Sequence, residues 1–136
     1  MVVHSQMTII LTALFLHFIG DFVLQTREVA TTKSKDWYAL AHHCMIIWFS
    51  MIPLGVMVGG GFIDCMAFAT ANAVIHGTID RNIWKRYGQR IARKSDPTRN
   101  EEFQYWKDHV FYTVIGFDQF LHVSVLLLLL SWMVGR

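Results

Sequence analysis

The chain has 136 residues, of which 54% are hydrophobic and 16% are charged, and its net charge is only +2. Its mean hydropathy of +0.36 is too high for an ordinary soluble domain of this length. This composition predicts a single transmembrane domain covering residues 1–136. We do not expect nucleic acid as a partner, because topology and contact with anionic lipid account for the basic residues of the loops.

Four apolar runs are each long enough to cross the hydrocarbon core of a bilayer, which takes roughly 20 helical residues. They cover about residues 7–26, 39–58, 62–81 and 112–132. We therefore predict an all-α fold, a polytopic membrane four-helix bundle. No basic residue precedes the first run and no small-residue cleavage site follows it, so we expect the first helix to remain rather than to be removed as a signal peptide.

The basic residues indicate an orientation. Segments 27–38 and 81–109 together carry eleven of the twelve lysines and arginines. The positive-inside rule then predicts that both segments are cytoplasmic and that both termini lie outside a bacterial cytoplasmic membrane. We interpret the polar 81–109 segment as a short helix continuing the third span, a turn at Asp96-Pro97, and an interfacial helix leading into the fourth span.

Two further features point to partners. Lys33, Lys35 and Lys85 could attract an anionic lipid or nucleotide substrate, although basic residues in such loops also arise from topology and from contact with anionic lipids. Gly55 and Gly59 form a G-x-x-x-G pattern on the second span. This pattern would allow helices to approach closely, and it makes a homo-oligomer possible.

Three spans carry histidine and aspartate four residues apart. The pairs are His17 with Asp21, His76 with Asp80, and Asp118 with His122. Residues at this spacing lie on one face of a helix, about one turn apart. Each pair is therefore positioned to act together.

The direction of the chain predicts that the three pairs meet at one depth. Spans one and three run toward the cytoplasm and read His then Asp, whereas span four runs away from it and reads Asp then His. The aspartate is thus nearer the cytoplasm in every span. His43, early in span two, reaches a similar depth, whereas its neighbour His42 points elsewhere on the helix.

Three carboxylates at one depth in a membrane need compensating charge. One or two divalent transition-metal ions, Zn, Mn or Fe, would provide it. The predicted ligands are His17, Asp21, His43, His76, Asp80, Asp118 and His122, with Gln25, Asn72 and Gln119 as supporting hydrogen-bonding groups. The alternatives are hydrogen bonds that join the helices and a proton relay.

The segments "HFIGDFVLQ", "AHH", "HGTID" and "FDQFLH" resemble the motif series of a family of small bacterial and phage membrane proteins, domain of unknown function 3307 (DUF3307). The resemblance spans nearly the whole chain. Carried over to this sequence, it implies the site residues His17, Asp21, Gln25, His43, His76, Asp80, Asp118, Gln119 and His122. The doublet His42-His43 offers two residues for one family position.

We expect a metal-dependent hydrolase that acts on a phosphoester or lipid head group at the cytoplasmic face. A metal ion would activate water, and the catalytic residues would be Asp80 and His43, the latter as a ligand or an acid–base group. Two alternatives from other classes are metal-ion or proton translocation by an oligomer, and a membrane interaction protein in which the metal only joins the helices.

Overall fold

The computed structural model describes residues 2–94 and 107–135, which are almost entirely helical. The elements are α1 Val2–Phe18, which continues as the π-helical segment Ile19–Val23, then α2 Arg27–Thr32, α3 Trp37–Met57, α4 Phe62–Lys94 and α5 His109–Val134. The spans of α1 with its π segment, α3, α4 and α5 are long and apolar enough to cross a membrane. No strand occurs within the described ranges, so the predicted all-α, multi-pass architecture is confirmed.

The polar segments contain more helix than the sequence predicted. The predicted short helix that continues the third span is present, since α4 runs unbroken past residue 81 to Lys94 through residues that are mostly good helix formers. The short helix α2 lies in a segment predicted to be a loop. Its cap is Thr26, whose hydroxyl accepts a hydrogen bond from the Val29 amide at 3.3 Å. The predicted turn at Asp96-Pro97 and most of the predicted interfacial helix lie outside the described residues.

The four long helices alternate in direction. The turn between α3 and α4 contains Gly59, whose φ of 78° suits glycine. The neighbouring Gly60 leaves room for Met133 near the end of α5, so this turn and the end of α5 lie at the same end of the bundle. We call this end the turn end. We call the opposite end the basic end. It comprises residues 24–36, the last turns of α4 and the first turns of α5.

An apolar layer fills the bundle toward the turn end. It contains the fully buried side chains of Ala13, Ile47, Met51, Leu54, Phe68, Ala69 and Leu126. Gly55 also lies here, where an added Cβ would stand 3.0–3.2 Å from atoms of Cys65 on α4. The interpretation of Gly55 and Gly59 as one helix face is wrong, because α3 ends at Met57 and Gly59 lies in the turn. A homo-oligomer stays a prediction, but the Gly55–Gly59 pattern no longer supports it.

The outward faces of the helices are strongly apolar. Phe15 on α1, Phe49 on α3 and Leu128 on α5 are each more than half exposed, as expected of side chains that face lipid. The buried polar residues instead face the axis of the bundle, where membrane proteins keep their ionisable groups. The interior near the basic end is therefore the part of the molecule that can carry chemistry.

Candidate metal centre

The structure brings the seven predicted ligands together in one polar layer near the basic end. None of them is more than 4% exposed. The layer consists of His17, Asp21, His43, His76, Asp80, Asp118 and His122. Each His–Asp pair has its aspartate nearer the basic end, as the chain direction predicted. Three aspartates are thus buried side by side in a bundle whose outer surface is apolar.

Asp21 enters the layer from the π-helical segment. An extra residue per turn in such a segment changes the direction of the side chains that follow, and π-helical turns occur often at functional sites. Gly20, the residue before Asp21, packs closely against α3: an added Cβ would stand 3.0 Å from Ser50 Oγ and 3.1 Å from Ile47 Cδ1. A larger residue at this position would fit only if the Ser50 and Ile47 side chains shifted.

A second glycine brings α3 and α4 together at the level of His43 and His76. A Cβ at Gly77 would collide with the Cys44 sulfur, so the two helices approach closely only because this residue has no side chain. The result is a distance of 2.9 Å between His43 Nε2 and His76 Nε2. Such a short contact between two imidazoles requires a proton or a cation between or beside them.

Four potential ligand atoms converge at this point. His43 Nε2 lies 3.2 Å from Asp21 Oδ1 and 3.1 Å from Asp80 Oδ2. His76 Nε2 lies 3.5 Å and 3.3 Å from the same two oxygens. Asp21, His43, His76 and Asp80 therefore form a buried group able to hold one metal ion, and we call this group the four-ligand cluster.

Lys33 also reaches the four-ligand cluster, which the sequence did not predict. Its ammonium lies 2.8 Å from Asp80 Oδ2, 3.5 Å from Asp21 Oδ1 and 3.2 Å from His43 Nε2. The residue is 6% exposed, so it does not act as a surface lysine in the basic loop. The cause is tertiary: α2 places the connection against α3 and directs this side chain toward the aspartates.

A second group of possible ligands adjoins the first through Asp80. It contains Asp80, Asp118 and His122. The Nε2 of His122 donates a hydrogen bond to the His76 carbonyl at 3.3 Å, which leaves Nδ1 with the free lone pair. Nδ1 lies 3.6 Å from Asp118 Oδ2. Asp80 Oδ1, Asp118 Oδ1 and His122 Nδ1 are all buried without a hydrogen-bond partner among the described residues.

A family model described as "Protein of unknown function (DUF3307)" matches residues 9–135. The chain belongs to the DUF3307 family. The matched region includes every residue of the polar layer, so the predicted family membership is confirmed. No curated protein and no solved structure matches the chain significantly. Because the description of DUF3307 names no activity, the function has to be argued from the site.

Gln119 of the DUF3307 protein connects the carboxylates, as predicted for a supporting group. Its amide nitrogen donates to Asp21 Oδ2 at 2.8 Å and to Asp118 Oδ2 at 3.3 Å, and its oxygen lies 3.3 Å from His17 Nε2. Asn72 is buried one turn deeper than His76, and its amide nitrogen has no hydrogen-bond partner among the described residues. Gln25 instead lines a neighbouring cavity.

The exposure of the remaining predicted residues shows which of their side chains can reach the polar layer. His42 is exposed whereas His43 is completely buried, so His43 is the member of the doublet that faces the site. Lys35 and Lys85 are both exposed. Lys35 borders the cavity beside the polar layer of the DUF3307 protein. The role of the three lysines in attracting substrate stays a prediction. Because Lys33 is buried, it would contact a substrate only within the site.

Proposed function

We propose that this DUF3307 protein is a metal-dependent hydrolase of the membrane that acts on a phosphoester such as that of a lipid head group. The observation that carries the proposal is the spacing in the four-ligand cluster. Tetrahedral coordination with bonds of about 2.0–2.2 Å puts neighbouring ligand atoms roughly 3.3–3.6 Å apart. In the structure, the imidazole nitrogens and carboxylate oxygens lie 3.1–3.5 Å apart, and the two imidazole nitrogens, at 2.9 Å, would have to separate slightly around an ion.

Hydrogen bonding alone accounts poorly for this arrangement. His43 Nε2 faces four polar atoms at once, belonging to Asp21, Lys33, His76 and Asp80. A ring nitrogen either donates one hydrogen bond or accepts one. At most one of these four contacts can therefore be a hydrogen bond of His43 Nε2. A cation at the common centre would attract all four ligand atoms.

The charges support the same conclusion. Among the lysines and arginines that the structure describes, only Lys33 forms ion pairs with the aspartates of the polar layer, whereas Asp21, Asp80 and Asp118 are all buried. Burying an unpaired carboxylate is costly, and more so in a bundle surrounded by lipid. One divalent ion in the four-ligand cluster would offset the remaining negative charge. Mixed histidine and carboxylate ligands favour Zn, Mn or Fe.

A second ion would fit beside the first. Asp80 would use its other oxygen, and Asp118 and His122 would complete the protein ligands. The three buried atoms that lack hydrogen-bond partners, Asp80 Oδ1, Asp118 Oδ1 and His122 Nδ1, support this position. Sites with two neighbouring metal ions occur in phosphatases, where the metal ions stabilise both the attacking and the leaving oxygen.

Hydrolysis at this site would consume one water molecule. A divalent ion supplies the activation of that water at neutral pH. The water oxygen bonds to phosphorus, the P–O ester bond breaks, and one water proton ends on the leaving alcohol while the other stays with the phosphate. In the arrangement with a single ion in the four-ligand cluster, Asp118, with one buried oxygen unpaired, would hold the migrating proton, and Lys33 would pair with a phosphate oxygen.

Translocation through a single chain is less well supported. Toward the turn end, the polar layer is followed by Ala13, Ile47, Phe68 and Leu126, all completely buried. Among the described residues of this region, Asn72 is the one polar side chain that is buried. A site that is reached from the basic end and closed toward the turn end suits a reaction better than a pathway.

On this proposal the basic end faces the cytoplasm of a bacterial cell and both termini lie outside. The support is the concentration of lysine and arginine in the two segments of that end. Single cysteines placed at residues 35 and 135, in a variant without Cys44 and Cys65, test the orientation. In spheroplasts the first should resist a membrane-impermeant reagent and the second should react; the reverse pattern would reverse the orientation.

Two neighbouring histidines provide the test of the activity. Elemental analysis of the wild type, purified gently in detergent, should find one or two equivalents of a transition metal. The same sample should release phosphate from a phosphomonoester panel of p-nitrophenyl phosphate and phosphatidic acid. His43→Ala should lose most of both properties, because it removes a central ligand.

The matched control is His42→Ala, in which the same change is made one residue away on the exposed face of α3. It should keep the metal and the activity. If the wild type contains no stoichiometric metal, the hydrogen-bonded reading of the polar layer replaces the metal centre. If metal is present but phosphate release is equal in the wild type and His43→Ala, the metal joins helices and the hydrolase assignment is wrong.

A further inference from the structure

A cavity of about 480 Å³ adjoins the polar layer at the basic end. It lies between the end of the α1 span, the connection that carries Lys33, the last turns of α4 and the first turns of α5. Its volume falls in the range of about 300–1,000 Å³ found for small-molecule sites. The cavity has two chemically different parts, and the difference indicates what it binds.

One part of the cavity wall is polar and is shared with the candidate metal centre. Asp21, Lys33, Asp118 and Gln119 line it, and Lys35 lies on its exposed side. Gln25 also lines it, with a buried side-chain oxygen that has no hydrogen-bond partner among the described residues. With an ion in the four-ligand cluster, the cationic groups around this part outweigh the aspartates, so an anionic group would be favoured here.

The other part is apolar and aromatic. Trp84 and Tyr87 on α4 contact Phe111 on α5, with ring centroids 6.1 Å and 5.9 Å apart. Ile91 and Ile115 extend this surface along the same two helices. Aliphatic and aromatic side chains in this arrangement would favour a hydrocarbon chain and offer it no charged partner.

The cavity reaches the lipid-facing surface near α1. Phe22 lines it and is also 49% exposed on the outside of the bundle. Of the pairs of long helices in contact, α1 and α5 pack least closely against each other. A molecule that is already in the bilayer could therefore extend into the cavity without leaving the membrane.

We propose that the cavity binds a membrane phospholipid with an anionic head group. The head group lies at the polar part, beside Lys33 and Gln25, and the beginning of one acyl chain lies against the aromatic part. The remainder of the lipid stays in the bilayer and passes Phe22. This inference rests on the proposed function in two respects only: the positive charge of the bound ion, and the expectation that the head group is hydrolysed.

Two glycines provide a matched test. Gly88 lines the cavity and an added Cβ there would meet no atom within 4 Å, so Gly88→Phe should fill the space without disturbing the helices. Gly116, on α5, is equally open but exposed and does not line the cavity. Native mass spectrometry of protein in maltoside micelles, titrated with phosphatidylglycerol, should show one bound lipid for the wild type and for Gly116→Phe. Gly88→Phe should bind at least tenfold more weakly.

Fluorescence gives a second measurement that does not depend on either variant. Phosphatidylglycerol with brominated acyl chains should quench the emission of Trp84, taken as the difference between the wild type and Trp84→Phe, and the quenching should saturate. Phosphatidylcholine with the same chains should need at least tenfold more lipid. Saturable, head-group-dependent quenching supports the proposal even if Gly88→Phe does not fold.

Several outcomes would overturn the proposal. Equal lipid binding by Gly88→Phe and the wild type would place the lipid elsewhere, and so would quenching that rises without saturation. Displacement of the lipid by ATP at equal concentration would make a nucleotide the ligand. Metal content measured on the same samples keeps the two proposals apart: lipid binding without metal refutes the hydrolase alone, and metal without lipid binding refutes this inference alone.

Discussion

The bundle contains two neighbouring layers that are built from the same four helices but from opposite kinds of side chain. In the apolar layer, each helix contributes small or aliphatic residues such as Ala13, Ile47, Ala69 and Leu126. One turn closer to the basic end, the same helices contribute the histidines and aspartates of the polar layer. The buried fractions are alike, since both layers are almost completely inaccessible to solvent.

The comparison separates what holds the helices together from what the protein does. Small residues at helix interfaces allow the close packing on which association in lipid depends, and the apolar layer has them. The polar layer adds three buried carboxylates, which stabilise a bundle only when they are compensated. A bundle that needed stability alone would be served by more of the apolar layer. Substitutions in the two layers should therefore change different properties of the protein.

The largest effect is expected from Asp80→Asn. Asp80 contacts His43, His76 and Lys33, so its charge serves both the cation site and the lysine. We expect metal binding to weaken by more than about 100-fold, as for the loss of a direct ligand rather than a supporting group. The free energy of unfolding should fall by about 3–5 kcal/mol, because Lys33 is left buried without its closest counter-charge.

Two further variants separate the effect of Asp80→Asn on metal binding from its effect on stability. In Asp80→Asn with Lys33→Met, stability should largely return while metal binding remains lost, because the unpaired ammonium is gone but the ligand is not restored. Asp64→Asn makes the same change in the first turn of the same helix, far from the polar layer, and should leave metal binding unchanged. If metal binding survived in Asp80→Asn, the four-ligand cluster would not be the metal site.

The next effect concerns Gln119, which donates to two of the aspartates. Gln119→Leu should weaken metal binding by about 10- to 100-fold, the range typical of groups that orient ligands. Competition with a chromogenic chelator in detergent measures the affinity. Gln6→Leu, at an exposed position in α1, is the control. An unchanged affinity would mean that the carboxylates are oriented without the amide.

Lys33→Met should change the affinity in the opposite direction. The ammonium stands within 3.5 Å of three of the four ligand atoms and repels a cation placed among them. Its removal should tighten metal binding by at least tenfold and lower the stability of the metal-free protein. Lys35→Met, two residues away and exposed, should do neither. Weaker binding in Lys33→Met would indicate that the lysine contributes to the site directly.

The smallest effect on the metal is expected in the apolar layer. Leu126→Ala, one turn from His122 and completely buried, should lower the free energy of unfolding by about 0.5–3 kcal/mol and leave the metal content unchanged. Leu128→Ala, which is 71% exposed, should have little effect on either. A loss of metal in Leu126→Ala would show that the two layers are coupled and that the separation drawn above is wrong.

The sequence predicted the apolar spans from the length of continuous apolar runs, and it predicted six of the seven polar-layer residues from their spacing along single helices. Four-residue spacing identifies a shared face, and the alternating direction of the spans identifies a shared depth. The extension of α4 to Lys94 was predicted only in part, because the basic residues after Arg81 suit both a helix and a polar loop.

What the sequence did not predict depends on contacts between segments. Lys33 appeared to be one basic loop residue among several, and its burial follows from the packing of α2 against α3. The close approach of His43 and His76 depends on Gly77 leaving room for Cys44, and a glycine within an apolar span gives no sign of this. The cavity combines residues of α4 and α5 that are distant in the sequence, so no local pattern indicates it.

The pairing of Lys33 with Asp21 also bears on how the chain enters a membrane during synthesis. These two residues are only 12 positions apart, whereas Asp80 belongs to a helix that leaves the ribosome later. A span that carries a carboxylate is inserted at a cost, and the first span has a nearby ammonium available before the third is made. If Lys33 pairs with Asp21 before α4 is made, the cost of inserting the first span would fall, and Lys33 would reach its shorter contact with Asp80 only once α4 has joined the bundle.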